Sequence, residues 1–276
     1  MTQPETKLDP VGEVDRLHRT NRLHPLLSPR HRTTRQLAFA VVVFGTLEIY
    51  GHSTGGLLVP PVSAVVVAFI DITFGGPLIP ALSSSLQLLF LGFALAAISA
   101  IILGVAVGAS ERLSYILSPF LSALYALPDI ALVPLIIVWF GFGIAGRLVI
   151  VFLTAFFPIF LNVYSGIRDA PGHLIEVGRS FGVNPGFDMV QKVRLPAAMP
   201  NVMTGLRVGV GRAVIGMAVA EVFLALGGIG ELIVRYGYAF RTDYLTAAIL
   251  PLPALGIGLT LLVARIERRI VPWRPT

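Results

Sequence analysis

The sequence predicts an all-α membrane protein with six transmembrane helices and a helical hairpin in the cytoplasmic loop between spans four and five. Its composition, its long apolar runs and the distribution of its basic residues support this fold class. Of the 276 residues, 55% are hydrophobic and only 13% are charged, and the mean hydropathy is +0.81. Soluble domains carry about a quarter charged residues, so the shortage of charge indicates a polytopic membrane protein.

The N-terminal segment, residues 1–35, is polar, contains prolines and carries six arginines. It is too long and too polar to be the charged start of a cleavable signal. We therefore expect a disordered basic cytoplasmic tail, followed by a transmembrane domain over residues 36–276. The first span is predicted at Gln36–Tyr50.

The later apolar runs are long enough to cross a hydrocarbon core of about 30 Å. Residues 57–74 are the exception, because Pro60–Pro61 opens them and Asp71 interrupts them, which predicts a loop and an interfacial helix. Prolines also interrupt the third span, at Pro119, Pro128 and Pro134. Spans two to six are predicted at Leu82–Gly108, Leu113–Phe140, Leu148–Tyr164, Val208–Leu226 and Leu245–Val263.

Basic residues indicate which loops face the cytoplasm. With six spans and both termini cytoplasmic, all of the 21 Lys and Arg residues except Arg147, Arg235 and Arg241 lie on the inner side. This asymmetry favours six spans over five or seven. It also accounts for the net charge of +6 without a nucleic-acid partner.

The segment at about 168–201 is too long for a simple connection between two spans. It contains signals for one helix that Gly182 ends, and for a second that opens at Asn184–Pro185 and ends before Pro196. These signals predict a compact helical hairpin that faces the cytoplasm. An ordered hairpin in this position indicates a docking site for another protein.

Three segments in and after this loop carry a known pattern. They are E-V-G-R-S-F-G at Glu176–Gly182, V-R-L-P-A-A-M-P at Val193–Pro200 and T-G-L-R at Thr204–Arg207. Together they resemble the "EAA" loop of ABC-importer permeases, in which a Glu precedes a Gly and is followed later by Leu-Pro. Here Val177–Gly178 replaces Ala-Ala, and the spacing from Gly182 to the proline is one residue longer than usual.

The resemblance extends over residues 57–274. The segments Ala126–Gly141, Phe156–Asn162 and Arg265–Trp273 are similar to the nitrate/sulfonate/taurine branch of these permeases. The resemblance implies a type I permease subunit whose hairpin couples to a separate ATPase. Glu176 either anchors the hairpin through caps or basic partners or is a solvated helix residue. The coupling residues that it implies are Glu176, Gly182, Asn184, Pro185, Leu195 and Pro196.

The same resemblance implies the partners of this chain in the bacterial plasma membrane. They are two copies of an ATP-binding subunit, a second and identical permease copy, and an extracytoplasmic substrate-binding protein. The implied solute is small, such as a sulfonate, nitrate or an aromatic carboxylate, although some relatives import pyrimidines. ATP must be hydrolysed by the separate subunit, because neither Lys7 nor Lys192 lies in the Gly-rich loop of an ATPase.

Three polar residues inside predicted spans are candidates for the translocation path: Asp129, Asn162 and Glu221. Asp129 either lines the path or caps the helix that restarts beside it. For Asn162, a hydrogen bond between helices is favoured over contact with the solute. Glu221 either lines the cavity or pairs with Arg235 or Arg241 on the outer side.

Other classes of function have less support. The five histidines do not have metal-ligand spacing in a span, so neither a metal site nor another cofactor is predicted. No nucleophile–base pair is visible, which argues against an enzyme. The alternative is a secondary transporter driven by an ion gradient, for which inverted repeats and an acidic relay are expected. A requirement for ATP and a partner ATPase would distinguish the two transporters.

Overall fold

The structure is a computed structural model that describes residues 32–56, 58–126 and 128–272, and every regular element in these ranges is helical. The chain divides into two compact units, Met1–Val62 and Ser63–Thr276. The first unit contains helix α1 (Arg32–Ser53), which includes the predicted first span. Most of the predicted tail lies outside the described residues.

The second unit contains the remaining helices, and the first of them begins at the boundary between the units. In chain order they are α2 (Val62–Phe74), α3 (Leu78–Ala109), α4 (Glu111–Ala126), α5 (Val133–Phe140), α6 (Ile144–Arg168), α7 (Gly172–Ser180), α8 (Leu195–Leu224), α9 (Gly228–Tyr238), α10 (Thr242–Ile249) and α11 (Pro251–Ile270). Helix α2 lies within the segment predicted to be a loop and an interfacial helix.

Three helical stretches in the described ranges are long and apolar enough to cross a membrane: α3, α6, and α10 with α11. A fourth results if the segment Phe187–Leu224 and α9, which meet at a bend of 49°, count as one span. The prediction of an α-helical membrane protein is confirmed. The exact number of six spans stays a prediction.

The predicted third span is broken into two short helices. Helix α4 ends at Ala126, and a single 3-10 turn at Asp129–Leu132 precedes α5. Pro128 has extended backbone with ψ of 114°, and Pro134 lies in the first turn of α5. Proline has no N–H and restricts the residue before it, so these two residues account for the break. Pro119 lies inside α4.

Helix α6 lies between α3 and α8, and the main core of the second unit forms along it. A Cβ at Gly104 of α3 would be 2.8 Å from the Cβ of Val163, and one at Gly108 would be 2.8 Å from the carbonyl oxygen of Tyr164. Only small residues permit this approach. The buried small residues of α3 recur at every fourth position, at Gly92, Ala96, Ala100, Gly104 and Gly108.

Helix α8 approaches α6 from the other side in the same way. A Cβ at Gly205 would lie 2.9 Å from the Cβ of Asn162, and one at Gly209 would overlap Ile159. Helix α11 then packs on α8, where an ion pair joins Arg207 to Glu267. Glu267 is only 8% exposed and the side chain of Arg207 is 38% exposed, so this pair is a partly buried link between the two helices.

The close approach of α3 to α6 predicts opposite effects for two Gly→Ala substitutions. Gly108→Ala should lower the thermal midpoint of the detergent-solubilised protein, because its methyl group would meet the backbone of α6. Gly258→Ala is the matched control, since nothing lies within 4 Å of its added Cβ on α11. It should leave the midpoint unchanged or raise it, as Ala is the better helix former by about 1 kcal/mol. Size-exclusion chromatography after heating measures both, and equal midpoints would contradict the packing described.

Candidate docking hairpin and membrane cavity

The first arm of the predicted hairpin is α7, and Gly182 ends it. The N–H of Val183 donates to the carbonyl of Gly178, and the N–H of Gly182 donates to that of Arg179, each at 3.0 Å. Gly182 has a φ of 76°. This is a Schellman motif, in which a glycine adopts the left-handed conformation and satisfies the last carbonyls of the helix. The helix stop predicted at Gly182 is confirmed.

The second arm does not end where the sequence predicts. A helical turn at Phe187–Met189 leads into a π-helical turn at Val190–Arg194 and then directly into α8. Leu195 and Pro196 therefore lie in the first turn of a long helix, and the predicted stop before Pro196 is wrong. The wider π turn before the proline changes the hydrogen-bond pattern, which is a recognised way for a helix to continue past a residue without an N–H.

The two arms pack against each other through a residue that departs from the family pattern. Gly178 is buried, and a Cβ there would be 2.9 Å from Cγ2 of Val193 and 3.5 Å from Sδ of Met189. A hydrogen atom is therefore all that fits without a shift of the second arm. An ion pair of 3.0 Å between Lys192 and Asp188 further links successive turns of that arm.

Large apolar side chains are exposed at the tip of the hairpin. Phe181 is 85% exposed and Phe187 is 78% exposed, on either side of the exposed Asn184–Pro185. A cavity of about 510 Å³ separates this region from α3, between residues such as Ala109 and Phe187. Exposed aromatic side chains beside a polar turn indicate a surface for a protein partner.

Glu176 does not anchor the hairpin within this chain. Its side chain is exposed, and it has no hydrogen-bond or ion-pair partner among the described residues. Only its backbone carbonyl takes part, accepting a hydrogen bond of 3.0 Å from the hydroxyl of Ser180. Among the described residues Glu176 therefore has neither a cap nor a basic partner, so an anchoring role would need another protein and stays a prediction.

A cavity of about 230 Å³ lies where α6, α8 and the break before α5 meet. One face of α8 contributes residues at positions i, i+3, i+4 and i+7, and α6 contributes Ile150 and Thr154. The residues of α8 are Arg212, Ile215, Gly216 and Val219. The distribution of basic residues assigns Arg212 to the cytoplasmic side, whereas in the structure it lies 17 residues after the first residue of α8 and lines this cavity.

Asp129 and Asn162 have different relations to this cavity. Asp129 is the first residue of the 3-10 turn, between the cavity-lining Pro128 and Ile130. The N-cap of this turn is Pro128 and not Asp129. The helix therefore restarts at Asp129, one residue before the restart that a cap at Asp129 requires. Asn162 donates to the carbonyl of Pro158 at 2.8 Å within α6. The hydrogen bond between helices expected for Asn162 is therefore replaced by one within its own helix.

Glu221 is fully buried near the end of α8. Its Oε2 accepts a hydrogen bond of 2.9 Å from the hydroxyl of Ser85 and one of 3.0 Å from the N–H of Gly230. The Ser85 hydroxyl also accepts from the N–H of Ile229 at 2.9 Å. Glu221 and Ser85 thus satisfy N–H groups at the start of α9, which otherwise have no partner within that helix.

The predicted pairing of Glu221 with an outer arginine is wrong. Arg235 pairs instead with Glu231, one turn before it on α9, and Arg241 lies over the ring of Tyr244 at 3.6 Å. Arg147 lies near the same bend, where it donates to the carbonyl of Leu226. The buried carboxylate therefore has a structural role at the junction of α3, α8 and α9.

Sequence reasoning missed two residues that matter here, Arg212 and Ser85. Arg212 falls inside the predicted fifth span, so the rule that a charge within a span is functional could have found it. Ser85 gives no such signal, because a serine in a span is unremarkable until its distant partner is known. Within the part of the chain that the structure describes, no three side chains of His, Cys, Asp or Glu are grouped to hold a metal ion.

The comparisons with known proteins agree with the apolar helices. Residues 96–272 match the family described as "Binding-protein-dependent transport system inner membrane component". The chain is 31% identical to a protein named as an aliphatic sulfonates transport permease of Bacillus subtilis, over 86% of this chain and 85% of that one.

Two further relatives differ in the solute that their names give. A taurine transport system permease protein of Escherichia coli is 29% identical over 70% of both chains. A formylaminopyrimidine transport permease protein of Halalkalibacterium halodurans is 31% identical over 70% of this chain and 77% of its own. This chain belongs to the family of binding-protein-dependent inner-membrane components, as an ABC-importer permease of the sulfonate, nitrate and taurine branch.

Proposed function

We propose that this permease works in an assembly of two identical permease copies, two ATP-binding subunits and an external substrate-binding protein. The hairpin, which we define as residues 172–194, is the docking site for the ATP-binding subunit. The observation that carries this proposal is the apolar surface at the tip of the hairpin, where Phe181 is 85% exposed and Phe187 is 78% exposed. Glu176, on the preceding helix α7, is exposed as well. A groove on a partner would bury the two rings and supply a donor to the carboxylate.

We further propose that six spans cross the plasma membrane, with both termini in the cytoplasm. The 22-residue α1, about 33 Å long at the usual helical rise, would be the first span. The broken pair α4 and α5 would be the third, and Arg147, Arg235 and Arg241 would face outward. The excess of basic residues near the other helix ends supports this orientation.

The proposed solute is a small anion such as a sulfonate. Two relatives are named for sulfonates and for taurine, and Arg212 places a positive charge at the membrane cavity. Of the three candidates for the path, Asp129 keeps the best support, because residues on both sides of it line the membrane cavity. Asn162 has its amide bound within α6, and Glu221 is buried by its own chain. Both are therefore weaker candidates for contact with a solute.

Transport would follow alternating access. ATP binds the closed pair of ATPase subunits more tightly than the open pair, and only this difference in affinity can drive the conformational change. Closure would move the two docked hairpins together. Because the second arm continues without a break into α8, its displacement would pass as a rigid-body movement to the cavity wall.

Co-purification tests this proposal most directly. The tagged chain is extracted from native membranes in detergent, and the proteins that remain bound are identified and counted. A stoichiometric ATPase subunit supports the proposal. A chain that purifies alone and transports in vesicles without ATP would instead establish a carrier driven by an ion gradient.

The docking hairpin predicts uncoupling by substitutions at its turn. Gly182→Asp should leave the protein inserted but abolish most ATP-dependent uptake, because a side chain is strained at a φ of 76°. Glu176→Ala should also lower uptake, through the loss of its contact with the partner. The matched control is Gly143→Asp, which adds the same charge in open space at the N-cap of α6, outside the hairpin, where an aspartate is favourable. Wild-type uptake in both Glu176→Ala and Gly182→Asp would refute the coupling assignment.

The position of Asp129 predicts an effect on transport rather than on assembly. Asp129→Asn preserves the size of the side chain but removes its charge, so uptake should change by several-fold while the amount of bound ATPase subunit stays the same. Quantitative uptake and co-purification are measured on one preparation. If expression is lost instead, Asp129 acts in the folding of the helix break and not on the path.

A further inference from the structure

Arg212 is a charged residue placed deep in a membrane helix. It lies 17 residues after Leu195 and 12 before Leu224, the ends of α8, which corresponds to about 26 Å and about 18 Å at 1.5 Å per residue. An arginine at this depth is costly in hydrocarbon. Such residues are retained where they face a water-filled cavity, a partner or a substrate pathway.

The wall around Arg212 is otherwise apolar. Ile130, Val133, Ile150, Ile215 and Val219 contribute hydrocarbon surface to the cavity. The hydroxyl of Thr154 is within hydrogen-bond distance of the carbonyls of Ile150 and Val151 in its own helix, so it has little donor capacity left. Among the lining side chains that the structure describes, Arg212 is the only charged one.

The backbone beside the cavity provides a second and independent indication. Pro128 and the 3-10 turn at Asp129–Leu132 interrupt the helical ladder at this wall. Irregular backbone at membrane depth is tolerated where it is buried in protein or lines an aqueous cavity, since its polar groups need partners. Discontinuous helices also frame the solute sites of many transporters.

The neighbouring Arg207 is a second arginine of α8 that does not line the cavity. It lies on the same helix, but it is joined to the buried Glu267 of α11. Arg212 lies instead on the face of α8 that borders the cavity, together with Ile215 and Val219. The two arginines therefore have the same chemistry in different surroundings, which makes Arg207 a matched control.

We propose that Arg212 binds the anionic group of the solute, a sulfonate, carboxylate or nitrate, as the solute passes through the membrane. This inference rests on the importer function proposed above and names a residue that would select the solute. A guanidinium presents N–H donors in a planar fork that matches two oxygens of such a group. A cavity of about 230 Å³ accommodates a small anion or the head of a longer one. The mostly apolar wall lowers the local dielectric constant and so strengthens the electrostatic attraction relative to bulk water.

The test uses the complete importer in liposomes, with the binding protein outside and ATP enclosed. Uptake of taurine, ethanesulfonate and nitrate is compared with uptake of formylaminopyrimidine. In Arg212→Gln, uptake of the anions that the wild type carries should fall by about tenfold or more at saturating binding protein. This is the loss expected for a hydrogen bond to a charged group.

Two controls accompany this test. ATPase activity stimulated by the binding protein should persist in Arg212→Gln. Arg207→Gln should lower thermal stability but not anion uptake per folded complex.

If the Arg212→Gln importer does not assemble, Arg212→Lys becomes the test of the proposal, because it keeps the charge and loses the planar fork of donors. Its maximal anion uptake should fall by several-fold, and an unchanged rate would overturn the proposal. Wild-type anion uptake in Arg212→Gln would overturn it as well. Uptake of formylaminopyrimidine but of none of the anions by the wild-type importer would also overturn the role of Arg212. That result would leave the proposed importer function intact. Loss of the ATPase subunit from the wild-type complex would instead refute the proposed function.

Discussion

The close approach of α6 to its two neighbours is the contact on which the rest of the second unit depends. Lipid tails are as apolar as the side chains, so helices in a bilayer associate mainly through tight van der Waals contact. Gly104 of α3 and Gly209 of α8 leave no room for a Cβ against α6. These contacts fix the separation of three helices. The membrane cavity forms at the edge of this packing, where α6 and α8 meet the broken helix.

The helix runs without a break from the hairpin to the cavity, because of a π-helical turn that the sequence did not predict. Pro196 reads as a helix stop, but the π turn at Val190–Arg194 carries the helix past it. Phe187 at the exposed tip of the hairpin and Arg212 therefore belong to one continuous helical segment, Phe187–Leu224. A flexible loop at Pro196 would absorb a displacement of the hairpin, whereas a continuous helix transmits it.

Local signals predicted most of the fold and part of the site. The apolar runs locate the long helices, and Gly182 ends α7 because a glycine is readily accommodated at a φ of 76°. Contacts between distant residues were not predictable: 136 positions separate Ser85 from Glu221 in the sequence. The pairing of Glu221 with an outer arginine was not predictable for the same reason. The Ser85 hydroxyl and an N–H group at the start of α9 bind its carboxylate instead.

The two ends of α8 are held differently, and this difference bears on how the cavity would change. At one end, Glu221 is fixed by buried hydrogen bonds to α3 and α9. At the other, α8 continues into the exposed hairpin. If α8 rotates as a rigid rod about Glu221, displacement grows with distance from that residue. Arg212 lies about 14 Å from the pivot and Leu195 about 39 Å, by the helical rise, so Arg212 moves about one third as far as the hairpin end. A displacement of a few Å at the docking surface thus becomes about 1 Å at the cavity, which is enough to make or break a hydrogen bond.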